Sequence, residues 1–289
     1  MSSPTFADYR LVHRLRVRWA EIDAQRIVFN PHYLMYVDTA FTEYWRALAI
    51  PYEVIPELLG GDLYVKKSTL EYHGSAHLDD LLDVGIRCQR IGNSSLLFSA
   101  GVFHGNRLLV GAELVYVFAD PATQTSRPVP PRLRELITAY EAGDPVLDTT
   151  VGRWSDVSSA ASALRRTVLM DELGIPASLD QDTLDVTSVH ALVRNRFGLA
   201  LATARLALGS QGVATLGRVA VLRTMRGTGL GRLVVDSLLG HARTAGMQTV
   251  RVQAQLGAQP FFSKLGFTSA GASYLEAGLA HVCMERVFG

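Results

Sequence analysis

Polar and apolar residues alternate between positions 11 and 19. Leu11, His13, Leu15, Val17 and Trp19 fall on one face, and Val12, Arg14, Arg16 and Arg18 on the other. This predicts a strand with one buried face. After Pro31 the period changes. Leu34, Val37, Phe41, Tyr44 or Trp45, and Leu48 recur every three or four residues, the apolar stripe of a long helix. Asn30 suits the N-cap and Pro31 the first helical position. Period two returns in runs near 63–73, 82–91, 95–104 and 107–118. In the second run Leu82, Val84, Ile86 and Cys88 alternate with Asp83, Gly85, Arg87 and Gln89. Gly105-Asn106 is a tight hairpin signal between the last two runs. Residues 127–140, RPVPPRLRELITAY, break the sheet and start a short closing helix. The first part therefore reads as a strand, a long helix and an antiparallel meander whose sheet covers that helix.

Residues 142–157 carry Gly, Pro, Asp and Thr without periodicity, which places a boundary near residue 148 and gives domains 1–147 and 148–289. The second part predicts a helix over 158–171, strands at 187–194, 199–208 and 215–222, and then a Gly-rich turn. A helix over 233–246, a strand at 250–255, a helix through 260–266 and terminal strands follow. The fold class is α+β, an antiparallel sheet around a central helix followed by a mixed α/β domain.

Composition narrows the chemistry. The chain has 289 residues, 48% of them hydrophobic and 19% charged, enough for two cores and against disorder. A net charge of +1 gives no electrostatic case for nucleic acid or an acidic membrane. No apolar run is long enough to span a bilayer, and residues 1–10 lack the features of a signal peptide. The expectation is a cytoplasmic protein. Cys88 and Cys283 lie in apolar stretches and read as buried, reduced thiols, not as a disulfide or metal pair. No metal site is expected. His73 and His77 fall at a strand end, Lys66-Lys67 on a solvated face, and Arg14, Arg16 and Arg18 on a solvated or interfacial stripe. Asp38 stays open between a buried acid and a surface residue.

Asp23 precedes the helix start at Asn30-Pro31-His32-Tyr33. A helix N-terminus presents unpaired N–H groups and a positive dipole end, which can hold a carbonyl oxygen as it gains charge. A carboxylate facing that carbonyl can attack it or activate water. On spacing alone Asp23 reads as a loop or capping residue. The stretch Ala20-Glu21-Ile22-Asp23-Ala24, Ile27-Val28-Phe29 and Asn30-Pro31-His32-Tyr33 resembles the hotdog-fold thioesterases of the 4-hydroxybenzoyl-CoA type. So do Glu71-Tyr72, Asp80, the turn Arg90 to Ser95 and Arg127 to Pro130, over residues 8–141. The resemblance implies that Asp23 is the catalytic carboxylate and that N–H groups from Asn30 to Tyr33 polarise the thioester. It also implies that Arg90 and Ser95 hold CoA, and that a homodimer or homotetramer forms through the hotdog domain with sites at subunit interfaces. Asn30 stands where many bacterial relatives carry His, which removes a second catalytic group and argues against a hotdog dehydratase.

Arg226-Gly227-Thr228-Gly229-Leu230-Gly231 lies between a strand and a helix, where successive N–H groups can cradle an anion. Neither the dinucleotide fingerprint nor the P-loop fits, since Arg232 occupies the third glycine position and no Gly-Lys-Ser/Thr is present. A helix-start turn needing glycine is the plainer reading. The Arg-x-x-Gly-x-Gly spacing resembles the pyrophosphate loop of the GNAT N-acetyltransferases. The strand Gly217 to Leu222 resembles their splayed strand, where Val219 and Val221 would bond the pantetheine arm. Gln253-Ala254-Gln255 and Pro260 to Phe267 resemble their closing motif, and residues 276–278 and 281–284 a bacterial branch. Coverage is 155–288. Phe262 stands where a tyrosine commonly protonates the leaving thiolate; Tyr274, Glu276 and His281 stay open as acid–base groups, with a structural part the plainer reading of each. Together the resemblances imply a bifunctional enzyme using acyl-CoA and acetyl-CoA as substrates, with no tightly bound cofactor and an unidentified amine acceptor. The alternative is a thioesterase with an inactive GNAT-like module for acyl-CoA sensing or assembly.

Overall fold

β1 (Leu11–Arg16) opens the first of two units, Met1–Val146 and Leu147–Gly289. The structure, a computed structural model, describes residues 4–177, 182–276 and 278–288. β1 is shorter than its alternating pattern. Val17 is buried, but Trp19 lies in a 3-10 turn and is 82% exposed, against the expectation of a shared buried face. The strand stops because the chain turns at Arg18–Glu21.

α1 (Pro31–Ala47) buries Tyr33, Tyr36, Val37, Ala40, Phe41, Tyr44 and Trp45, a wider and more aromatic stripe than the spacing predicted. Leu34 is only half-buried. Asn30 precedes the helix, but its side chain makes no capping hydrogen bond. α2 (Ile55–Leu59) leads into β2 (Asp62–Tyr72), followed by β3 (Leu81–Ile91), β4 (Ser95–His104) and β5 (Arg107–Ala119). These form a five-stranded sheet in the order β1-β3-β4-β5-β2, antiparallel throughout. Gly105, at φ 58, supplies the left-handed residue of the β4–β5 hairpin. Phe41 of α1 stacks on Tyr116 at 4.1 Å and meets the edge of Phe98 at 5.2 Å, so helix and sheet share one aromatic core. Removing Phe41 to alanine would cost about 3–5 kcal/mol. α3 (Pro131–Glu141) closes the unit, and its Arg134 donates to the carbonyls of Ile91 and Gly92.

The second unit begins with β6 (Leu147–Arg153), a strand the sequence reading left as linker. It pairs with β7 (Val189–Asn195) as the edge of an eight-stranded sheet. An edge strand with one neighbour needs little apolar alternation, so its pattern LDTTVGR gives no signal. α4 (Trp154–Arg165) starts four residues before the expected 158 and runs on as a π-helical segment, Arg166–Glu172. α5 (Leu184–Thr187), β8 (Ala200–Leu208), β9 (Val213–Val221), α6 (Leu230–Thr244), β10 (Thr249–Gln255) and α7 (Gln259–Lys264) follow. β11 (Thr268–Ser269), β12 (Tyr274–Glu276) and β13 (Leu279–Val287) end the chain. α6 lays Val234, Val235, Leu238, Leu239 and Ala242 on the sheet. Under α4, Asp185 sits between Arg165 and Arg205, with contacts of 2.9 to 3.0 Å, and Asp182 bridges Arg205 and Arg218. Each buried charge thus has an opposite partner. Cys88 and Cys283 are free and half-buried, not fully buried as expected.

Candidate active sites

In the first unit a small hairpin carries Asp23. Phe29 N–H donates to the Glu21 carbonyl at 2.9 Å, Ile22 bridges Val28, and Asp23 N–H donates to Ile27 at 2.9 Å. Arg26 takes the left-handed conformation at the tip, φ 63. Asp23 Oδ1 accepts the Gln25 N–H at 2.7 Å, a side-chain turn within the hairpin. Among the described residues Oδ2 has no partner. The chain leaves the hairpin at Phe29 directly into α1. At the helix start Pro31 has no N–H, His32 N–H donates to Phe29 at 2.9 Å, and Tyr33 N–H makes a long 3.3 Å contact with Asn30. The Asn30 N–H donates to no acceptor among the described residues. The buried Tyr33 hydroxyl accepts the Ala76 N–H at 2.8 Å, which commits its side chain to anchoring the loop after β2.

Glu21 is the residue the sequence reading passed over. It is 3% exposed. Its carboxylate accepts from Arg18 N–H at 2.8 Å, Arg18 Nε at 2.6 Å and the Tyr36 hydroxyl at 2.6 Å. Burial pushes the Glu21 carboxyl up, but these hydrogen bonds outweigh it and hold the group below its ordinary value. The signal available was an acid two residues before Asp23, with Tyr36, a polar tip, on the apolar stripe.

Arg90 and Ser95, which the resemblance assigns to the CoA moiety, lie at the other end of the sheet from the Asp23 hairpin. β1 pairs with β3 so that Arg16 faces Leu81, and the chain then enters the Asp23 hairpin. Arg90 and Ser95 flank the turn at the far end of β3. Arg90 is nine residues along β3 from Leu81, about 30 Å at the usual rise. Arg90 and Ser95 thus stand at the opposite end of β3 from the strand end that leads into the Asp23 hairpin. Asp38 is exposed.

In the second unit β9 and β10 form its parallel pair. Their pairing ends at Leu216–Val252, while β9 runs on to Val221 and β10 to Gln255. β8 opposes β9 through a register shift between Thr203 and Arg205, and Arg218 on the bulged stretch has φ 52. The strands therefore splay, leaving one edge of Val219 and Val221 without a strand partner. The splay opens into a cleft of about 650 Å3 lined by Val219, Val221, Arg226, Gly227, Gly229 and Gly231, among others. Gly227 and Gly229 stand at φ 85 and 90, and an added Cβ would meet nothing within 4 Å, so backbone conformation and not space demands glycine. The amides of Gly227, Thr228, Gly229, Leu230 and Gly231 donate to no acceptor among the described residues. They meet at the α6 N-terminus, an anion cradle.

Three members of the expected loop play other parts. Arg226 is paired with Glu172 through contacts of 2.7 and 2.8 Å, Thr228 Oγ1 donates to the Met225 carbonyl at 2.7 Å, and the Leu230 side chain is buried. Any contact of Thr228 or Leu230 with an anion is through the backbone.

The sequence model of the thioesterase superfamily matches residues 25–111, and that of the acetyltransferase (GNAT) domain matches residues 198–288. A candidate acetyltransferase of Bacillus subtilis (strain 168) is 31% identical over 130 residues, 44% of this chain and 86% of that protein. The chain belongs to the GNAT acetyltransferases through its second unit. The first unit, which the thioesterase superfamily model matches, is similar to the acyl-CoA thioester hydrolase YbgC of Escherichia coli O6:H1, 29% identical over 118 residues, 40% of this chain and 87% of that protein. The GNAT unit is similar to a UPF0039 protein of Synechocystis sp., 31% identical over 139 residues, 46% of this chain and 90% of that protein.

In the GNAT unit Phe262 is 5% exposed and lines a second cavity, of about 240 Å3, with Gly217, Val219, Gln255 and His281. Among the described residues no group of three or more His, Cys, Asp and Glu side chains gathers as metal ligands, and no helix is long and apolar enough to cross a membrane.

Proposed function

We propose that the chain is a bifunctional acyl-CoA enzyme, a hydrolase in its first unit and an amine acyltransferase in its second. The hydrolase half rests on one observation: Asp23 Oδ2 and the Asn30 N–H, neither with a partner among the described residues, stand on a hairpin and the helix it feeds. Asn30 N–H polarises the thioester carbonyl, and Asp23 either takes the proton of the attacking water or attacks the carbon to give a mixed anhydride that water then hydrolyses, freeing the acid and Asp23. The C–S bond breaks and the thiolate leaves, a fair leaving group. His32 and Tyr33 shape the helix start. Arg90 and Ser95 reach the acyl-CoA of a partner protomer in a homodimer or homotetramer, since they stand too far from the Asp23 of their own chain. The protein acts in the cytoplasm.

In the transferase half, the free amides from Gly227 to Gly231 hold the diphosphate of the CoA moiety. Val219 and Val221 offer backbone groups to the pantetheine arm along the splay. This directs the thioester to the cavity at Gly217 and Phe262. Holding amine and thioester together there supplies much of the acceleration. One observation favours a second reading, an acyl-CoA-sensing module: Phe262 has no proton to give the leaving thiolate. Mass-spectrometric search for acetylated amines, with acetyl-CoA and a panel of primary amines, separates the two. Binding of acetyl-CoA without any product would overturn the transferase.

A further inference from the structure

The cavity at the open end of the splay holds one titratable ring that the account above does not use. His281 lies on β13, opposite Gln255 of β10, and lines the same 240 Å3 space as Phe262, Gly217 and Val219. Its Nδ1 stands 2.9 Å from the carbonyl oxygen of Leu279. A carbonyl only accepts, so Nδ1 carries a hydrogen, and the neutral ring has its lone pair on Nε2. Nε2 has no partner among the described residues. The Tyr274 ring stacks on the imidazole, with centroids 6.0 Å apart and planes 27° apart. Here one nitrogen is fixed by the backbone, one face is held by a ring, and the other nitrogen is spare beside the cavity.

We propose that His281 Nε2 is the general base of acyl transfer in the GNAT unit. The inference rests on the reading of that unit as an acyltransferase. The amine nitrogen bonds to the acyl carbon as the carbon–sulfur bond breaks. The proton lost by nitrogen passes to Nε2, and the imidazolium returns it to the CoA thiolate or to water. One ring thereby offsets the missing phenol at Phe262, and no further reactant is required. The titratable and charged groups around His281 are Tyr274 and Glu276 on β12, Cys283 on its own strand, and Arg218 on the cavity wall, whose guanidinium is 2.9 Å from Asp182.

The test uses the full chain with acetyl-CoA and a panel of primary amines: free amino acids, linear polyamines and peptides with a free N-terminus. Acetylated amine is read by mass spectrometry, which ignores thiol released by hydrolysis. His281→Gln is expected to lower kcat about 100-fold, to leave the KM for acetyl-CoA unchanged, and to flatten the acidic limb of the pH–rate profile. His281→Ala is expected to regain activity with added imidazole. Transfer by His281→Gln within threefold of wild type, with the acidic limb intact, would overturn the base while leaving the acyltransferase standing. Loss of acetyl-CoA affinity in both variants with no imidazole rescue would assign the ring to structure and overturn it too. Absence of product from wild type that still binds acetyl-CoA would overturn both the base and the acyltransferase reading beneath it.

Discussion

The hydroxyl of Tyr36 stands 2.6 Å from Glu21 Oε2, which ties α1 to the hairpin that carries Asp23. The thioesterase account needs that tie, because the acid and the helix-start amide must face one carbonyl. Tyr36→Phe removes one hydrogen bond to a buried carboxylate that keeps its Arg18 partners. The expected cost is about 1.5 kcal/mol of stability, read by urea denaturation. Thiol release is expected to fall about 10-fold as the acid loses its fixed position. Unchanged turnover with the stability loss would make the tie structural only.

The same carboxylate predicts an acid sensitivity. Burial raises the Glu21 carboxyl, but Arg18 and Tyr36 together hold it below its ordinary 4.5. A folded value below the unfolded one stabilises the protein fully above about 4.5, and that contribution is lost as pH falls through the folded value. Urea titrations from about pH 6 down to about pH 3 should show wild type losing stability more steeply at the acid end than Glu21→Gln. Parallel curves would contradict the assignment.

Gly229, at φ 90, sets the amides at the α6 N-terminus. Gly229→Val forces a β-branched residue into the left-handed region at about 1–2 kcal/mol, and acetyl-CoA affinity is expected to fall about 10-fold or more. Gly240, inside α6 with open space at its Cβ, is the control. Gly240→Ala should gain up to about 1 kcal/mol and leave affinity unchanged. Isothermal titration calorimetry with acetyl-CoA reads both.

Phe262→Tyr adds a phenol at the cavity wall shared with Val219 and His281. If the CoA sulfur sits there, transfer to amine should quicken about 10-fold with the KM for acetyl-CoA unchanged. A slower variant would place the sulfur elsewhere in the cleft.

How much of this could be read in the sequence differs by element. β3 and β4 match their predicted runs to within a residue, because period two is written into their sequences, although residues 82–86 and 100–103 are buried on both faces. α1 was legible as a stripe, although Tyr33 and Tyr36 joined it through polar tips that find partners at Ala76 and Glu21. β6 was not legible, since an edge strand draws its stability from the backbone of β7. Asp23 and the Gly227–Gly231 loop were visible as motifs. The distance of Arg90 and Ser95 from Asp23 was not, because it follows from the register of β1 on β3. The splay was visible only by resemblance, since residues 215–222 read as one unbroken strand and only the structure shows β10 diverging after Val252. The standing of His281 needed the third dimension too: the Leu279 carbonyl fixes its tautomer and Tyr274 its face.

The most direct measurement is free-thiol release from short, long and aromatic acyl-CoAs, without amine, by wild type and Asp23→Asn. The account predicts release by wild type from at least one acyl-CoA and a loss of about 100-fold or more in the variant, with acetyl-CoA binding to the second unit unchanged. Hydrolysis by Asp23→Asn at the wild-type rate would contradict it.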